Sequence, residues 1–229
     1  MGVVETIALC MGIAWASGIN LYAAIGMLGI LGATGNIVLP PNLEILQHPA
    51  VIAAAGFMYC VEFFADKMPG VDTGWDAIHG FIRIPAAAVL AAAAVGPVDP
   101  AMMLAAGILG GALGATSYTV KAGGRVLINA SPEPVTNWTA SVTEDLAVIG
   151  GLWAALYHPV LFLALLVVFV LVAAWLLPRI WRGIKVVFRR LKAFFGGKPA
   201  VAEGQKSAFA DAADQAAADL AAGKLEHKS

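Results

Sequence analysis

The chain has 229 residues, 60% of them hydrophobic and 13% charged, with a net charge of −1 and a mean hydropathy of +0.81. An average soluble domain carries about 25% charge, so a water-soluble fold of this size could not hide so much apolar surface. Intrinsic disorder is excluded for most of the chain, the balanced charge excludes a nucleic-acid binder, and an all-α multi-pass membrane protein remains.

The small net charge hides a split. Residues 1–178 hold four basic residues (Lys67, Arg83, Lys121 and Arg125) against ten acidic ones, whereas 179–229 hold ten basic and five acidic. Cys10 and Cys60 both lie in apolar runs and read as packing residues rather than a disulfide framework. The N-terminus has no basic region and carries Glu5, so no cleavable signal peptide is expected.

A bilayer-crossing helix takes about 20 mostly apolar residues. Six stretches are candidates, near 6–31, 49–65, 80–96, 101–122, 143–157 and 159–177. The first contains Ala16-Ser17-Gly18-Ile19-Asn20-Leu21-Tyr22-Ala23, and the fourth contains Ala115-Thr116-Ser117-Tyr118-Thr119-Val120-Lys121-Ala122. The two match in small and hydroxyl residues at an offset of 99, with Asn20 opposite Thr119. A second pair, Ala50-Val51-Ile52 and Ala147-Val148-Ile149, lies 97 apart. Three spans per half makes this an inverted 3+3 repeat, the arrangement of secondary transporters whose sites form at interrupted helices. The same small residues also serve close helix packing.

Between the second and third spans, Glu62 and Asp66 are four apart and share a helical face. Pro69-Gly70 then forces a turn, and Asp76, His79 and Arg83 share a face at spacings of 3 and 4. Charges this close to hydrocarbon are costly and face protein or a water-filled cavity. Three chemistries fit. Asp72, Asp76 and His79 could hold a divalent cation; the carboxylates could relay protons; or Arg83 and Lys67 neutralise the acids in a structural ion-pair network.

Lys121, at the end of the fourth span, and Arg125, just beyond it, are four apart beside two glycines and form a basic face suited to an anionic head group or phosphate. With Asn20, Arg83, Asn129, Ser131 and Asn137 they are the candidate substrate-binding residues. The stretch 122–142 carries two prolines and two asparagines and is expected as an ordered loop. Ser141 and Glu144 fit a capping box opening the fifth span. Asp145 has no such duty, and with Glu144 it joins Glu62, Asp66, Asp72, Asp76 and His79 as candidate coupling or ion-binding groups. If the two hairpins pack together, Lys121 or Arg125 pairs with Glu62, Asp66 or Asp76, as a gate or a rivet.

Tyr157-His158-Pro159 reads as a tight turn into the sixth span, which Pro178 ends. Trp181, Ile184, Phe188, Leu191 and Phe195 then recur at spacings of 3, 4, 3 and 4, with basic residues on the other faces. Residues 179–195 are therefore expected to form a basic amphipathic helix lying on anionic inner-leaflet lipids. Residues 196–229 read as a flexible Ala-rich tail, and 1–178 as the membrane domain. With this basic run in the cytoplasm and six spans, the N-terminus and the connections 66–80 and 122–142 are cytoplasmic too. All fourteen basic residues then fall on one side, while loops 32–48, 97–100 and around 158 have none.

Signatures of intramembrane enzymes are absent: no His-Glu-x-x-His, no Gly-x-Gly-Asp, no rhomboid-type Gly-x-Ser-Gly and no P-loop. This weighs against an enzyme. At Ala65-Asp66-Lys67-Met68-Pro69-Gly70-Val71-Asp72, Trp75, Asp76, His79 and Arg83, and again from Lys121-Ala122-Gly123 through Asn129-Ala130-Ser131-Pro132, Pro134, Asn137 and Glu144-Asp145, the chain resembles a known family. It is a bacterial multi-pass membrane family known as a domain of unknown function, number forty-one twenty-six. The likeness covers roughly residues 1–192 and implies a bacterial inner-membrane protein without supplying an activity. A fainter likeness is to cation exchangers with Glu-x-Gly-Asp-Lys motifs, from which Glu62-Phe-Phe-Ala-Asp66-Lys67 departs by one residue and the glycine.

These observations point to a small secondary transporter or flippase coupled to protons or a cation through intramembrane carboxylates. The alternatives are a metal-dependent intramembrane enzyme acting on a lipid head group, and a membrane scaffold or assembly subunit. The lipid bilayer is the expected partner, and six short spans bury little by themselves, which favours a homo-oligomer.

Overall fold

The computed structural model describes residues 2–68, 70–129 and 134–195, together with Gln215. It divides into two units, Met1–Lys185 and Val186–Ser229. Ser131 and the tail expected over 196–229, apart from Gln215, lie outside the described residues.

Among the described residues the structure is helical throughout: α1 (Val3–Ala33), a 3-10 segment (Pro41–Gln47), α2 (Pro49–Ala65), α3 (Val71–Ala94), α4 (Pro100–Asn129), α5 (Pro134–Tyr157) and α6 (Pro159–Phe195). Four helices start at a proline, whose fixed φ and missing N–H suit the first helical position. Between α2 and α3 the chain turns through Gly70, at a φ of 86° that favours glycine. Four helices (α1, α3, α4 and α6) are long and apolar enough to cross a membrane, and a fifth joins them if the 3-10 segment and α2, bent by 67°, count as one span. The expected sixth, α5, falls outside that number because its first half carries Thr136, Asn137, Thr139, Ser141, Thr143, Glu144 and Asp145.

α1 runs through the middle of the bundle, with Leu9, Ile13, Ala14, Ala16 and Leu28 buried. Small residues let its neighbours approach. A side chain at Gly12 would meet Ala155 of α5, and one at Gly18 would meet the backbone of Gly114 and the Ser117 hydroxyl of α4. Gly110 and Gly114 lie in turn against Ala91 and Ala87 of α3. α1 is broken at Asn20, whose backbone (φ −145°, ψ 96°) leaves the helical region. The suggested counterpart in α4, around Thr119, lies within one uninterrupted helix, so the sequence correspondence does not extend to the break.

Two expectations are corrected. The loop expected over 122–142 is helical on both sides, with α4 reaching Asn129 and α5 starting at Pro134. Ser141 is therefore a buried mid-helix residue and not a cap. Asn137, Ser141, Asp145, Val148 and Leu152 form one buried stripe along α5, polar in its first half and apolar in its second. Nor does Pro178 end α6. It sits inside the helix, flanked by side-chain bonds from Arg179 Nη1 to the Trp175 carbonyl (2.9 Å) and from Arg182 Nε to the Pro178 carbonyl (3.3 Å). The segment Pro159–Val186 has 28 residues, about 42 Å at 1.5 Å each, longer than a hydrocarbon core of about 30 Å. Its basic end continues the apolar helix and does not start a separate one.

Candidate functional site

The charges expected on two hairpins converge inside the bundle. Lys121, from α4, is the hub. Its ammonium lies 3.0 Å from Glu62 Oε1 and 3.0 Å from Asp66 Oδ2, both from the end of α2. Asp76 Oδ1 of α3 and Glu144 Oε2 of α5 stand at 3.7 and 3.6 Å. On one side Arg83 binds Glu62 at 2.6 Å and Asp76 at 2.9 Å. On the other, Arg125 binds Glu144 at 2.7 Å and reaches Asp66 at 3.5 Å and Asp72 at 3.9 Å. Arg83, Arg125, Glu62 and Asp72 are completely buried. The helical spacing of 62 with 66, of 76 with 83 and of 121 with 125 turns each set inward on one face.

Lys121 also donates to the carbonyl of Ile19 at 3.1 Å. In a regular helix that carbonyl accepts the amide of Ala23; here the Ala23 amide donates to Asn20 Oδ1 at 2.9 Å. The asparagine side chain replaces the helical acceptor, and the released carbonyl receives the lysine. Asn20 Nδ2 donates to Asp145 Oδ1 at 3.0 Å, and the Tyr59 hydroxyl donates to Asp145 Oδ2 at 3.1 Å. The break in α1 is thereby held from α4 through Lys121 and from α5 through Asp145.

Towards the α2–α3 turn, Asp72 Oδ1 accepts the amides of Gly70 (2.9 Å) and Thr73 (2.6 Å), which secures the start of α3. Asn129 Nδ2 bonds both oxygens of Asp72, at 2.8 and 3.0 Å, and Asn137 Nδ2 donates to Asn129 Oδ1 at 3.0 Å. Lys67 lies at the turn, its ammonium against the Phe63 ring and donating to the Phe63 carbonyl at 3.1 Å. Burial lowers its pKa from the ordinary lysine value, against the opposing pull of Asp145 and Asp66.

Six carboxylates (Glu62, Asp66, Asp72, Asp76, Glu144 and Asp145) thus share the region with four cations (Lys67, Arg83, Lys121 and Arg125), a formal surplus of two negative charges. Unpaired charge in a low-dielectric interior is expensive. The hydrogen-bond inventory points the same way. Lys121 spends its three protons on Ile19, Glu62 and Asp66. Arg125 directs Nε and both terminal nitrogens to Glu144, Asp66 and the Asn137 carbonyl. Among the charged groups Glu62 Oε2, Asp66 Oδ1 and Asp76 Oδ2 have no hydrogen-bond partner, against Arg83 Nε on the donor side, and the neutral Asn137 Oδ1, Ser17 Oγ, Trp15 Nε1 and Trp75 Nε1 nearby lack one too. The anion-receiving role expected of Lys121 and Arg125 meets side chains already committed to carboxylates.

Asp72, Asp76 and His79 are not gathered around a point. Asp72 takes Asn129 and amide donors and Asp76 takes Arg83. His79 turns Nδ1 to the Trp75 carbonyl at 3.0 Å and stacks on the Trp75 ring at 4.1 Å. Among the described residues no group of three His, Cys, Asp or Glu is arranged to hold a metal ion, so this geometry does not fit the divalent cation expected there. Sequence reasoning also missed Tyr59, Thr73 and Tyr118, whose hydroxyl donates to the Asp76 carbonyl at 3.0 Å. For Tyr59 the signal was present: 59, 62 and 66 share one helical face. A cavity of about 270 Å³ adjoins the cluster, lined by Lys121, Arg125, Glu144 and Ser117 on its polar side and by Trp15 and Phe169 among its apolar residues.

The family model described as a domain of unknown function (DUF4126) matches residues 7–179. The chain belongs to that family. Its model spans every charged residue of the cluster as well as the break at Asn20. No curated protein and no solved structure matches the chain.

Proposed function

We propose that this family member is a small secondary transporter or flippase of a bacterial inner membrane, coupled to protons or a cation through the buried carboxylates of α2, α3 and α5. In this reading all six helices cross the bilayer, including the polar α5, and both termini face the cytoplasm. The basic end of α6, from Arg179 onward, meets anionic lipid. One observation carries the proposal: a largely buried, net-negative ion cluster clamps a broken helix. Secondary transporters build their sites from such interrupted helices, and intramembrane ionisable groups mark ion pathways.

Every basic residue of 1–178 is buried in or beside this cluster. These four act as internal counterions, so the orientation rests on the basic run from Arg179. The surplus of negative charge supports proton or cation uptake over capture of an anion by Lys121 and Arg125. In vesicles of phosphatidylethanolamine and phosphatidylglycerol, transport by the full chain should depend on an imposed pH gradient and fall in Glu62→Gln and Asp66→Asn. Equal rates with and without the gradient, or full activity in both of these variants and in Asp145→Asn, would remove the coupling.

A further inference from the structure

Six carboxylates crowd the site, and they differ in the company they keep. Glu62, Asp66, Asp76 and Glu144 each have a cationic nitrogen within 3.0 Å. Asp72 has two amide donors, an asparagine and Arg125 at 3.9 Å. A cation or a helix start favours the ionised form of each. Asp145 is different. It is buried, with 8% of its surface exposed, and its hydrogen-bond partners are the neutral Asn20 and Tyr59. Among the described residues no cation comes within 4 Å of it. The charged groups that face it at longer range are Lys67 beside the turn, Lys121 from α4 and Glu62 from α2. Glu144 precedes it on α5, and α1 presents only the Asn20 amide.

The two neutral partners suit a group that changes charge. The Asn20 amide is fixed in orientation, because its Oδ1 accepts the Ala23 amide while its Nδ2 faces Asp145. It therefore donates to Oδ1 whether the carboxyl is ionised or neutral. Tyr59 is reversible: a hydroxyl donates or accepts by rotating one bond. When a proton arrives on Asp145 Oδ2, the Tyr59 O–H turns away and its oxygen accepts the new bond. Neither state leaves a buried polar atom without a partner. A metal ion is poorly served, since both neighbours present hydrogens to the carboxylate.

We infer that Asp145 is the carboxylate that loads and releases the coupling proton, with Tyr59 as its reversible partner and Glu62, Asp66, Asp76 and Glu144 as the acids paired with the buried cations. This rests on the transport reading above and narrows it to one proton on one residue. Tyr59 itself is half-buried. The same carboxyl holds Asn20 at the break in α1. A hydrogen bond to a charged acceptor is stronger than one to a neutral acceptor, so protonation loosens the hold of α5 on α1 and leaves Lys121 clamping Ile19.

The test is infrared pH-difference spectroscopy on the full chain in phosphatidylethanolamine–phosphatidylglycerol vesicles, reading the carbonyl stretch of a protonated carboxyl group. A titrating band distinct from those of the solvated carboxyl groups should be present in the wild-type protein and in Glu62→Gln and absent in Asp145→Asn. In Tyr59→Phe the band should remain, with its midpoint raised by about one pH unit, because a donor to the ionised form is lost. A band abolished by Glu62→Gln and kept in Asp145→Asn would overturn the assignment and leave coupling through another carboxylate standing. An unshifted midpoint in Tyr59→Phe would overturn the role of the hydroxyl, and no titrating band in the wild-type protein would overturn both this inference and proton coupling.

Discussion

α1 and α6 are both apolar helices, yet they have opposite fates. α6 has the higher mean hydropathy over its best window, 3.2 against 1.5, but only 17% of that window is buried, against 78% for α1. In a water-soluble protein the more apolar helix would be the more buried one. The reversal follows from the solvent, because lipid tails are as apolar as leucine and reward no helix for hiding leucine. What separates the two helices is side-chain size and polarity. α1 offers Gly12, Ala16, Ser17, Gly18 and Asn20 to its neighbours, so backbones approach and polar groups find partners. The first two turns of α6 offer mainly Leu, Val and Phe, large smooth residues suited to a fluid surface. The contrast teaches that the most hydrophobic stretch marks the periphery, and that the interior is marked by small and polar residues within hydrophobic stretches.

The contrast can be broken at its strongest point. Lys121→Met removes the ammonium at the hub and strands Glu62 and Asp66. Unfolding of the purified protein in detergent, followed by denaturant titration, should show a loss of about 3–5 kcal/mol. Leu171→Ala on the exposed face of α6 should cost less than about 0.5 kcal/mol. If the two substitutions cost the same, the ion cluster does not hold the bundle. A smaller effect is expected where α1 meets α4. Gly18→Leu forces a side chain into the Gly114 backbone and Ser117 and should cost about 1–3 kcal/mol. Gly150→Ala in α5 meets no atom within 4 Å and should be neutral or stabilising by up to about 1 kcal/mol. The same unfolding assay distinguishes them.

The smallest effect is a slope. The Lys67 pKa is lowered by burial, so at high pH the unfolded chain holds this proton while the folded chain has released it. Stability should therefore rise with pH between the depressed value and 10.5. Lys67→Met should remove that rise, as seen in midpoints of denaturation taken across the range. An unchanged slope would put Lys67 on the solvated side of the contrast, with the basic end of α6.

Much of the cluster was readable because helical spacing needs no tertiary information. Glu62 with Asp66, and Lys121 with Arg125, must lie on common faces once their segments are helical, and opposite charges in an apolar setting seek each other. The boundaries were harder. Ser141-x-x-Glu144 has the pattern of a capping box, but the capping oxygen is worth about 1 kcal/mol, less than the stripe of buried residues that α5 gains by starting at Pro134. His79 shares a spacing with Asp76 and Arg83, yet Trp75 one turn earlier captures its ring. Tyr59 was passed over because an aromatic residue among Phe57, Phe63 and Phe64 reads as one more apolar contact.

By itself the sequence determined the all-helical, apolar class of the protein and the shared helical faces of its charged residues, because composition and periodicity act along the chain. Only the tertiary structure decided that α1 breaks at Asn20, that Lys121 takes the carbonyl thus released, and that Asp145, unlike the other five carboxylates, has neutral partners and no cation within 4 Å among the described residues. Those features depend on side chains up to 125 residues apart, and which pairs meet is settled by how closely small residues let the helices pack.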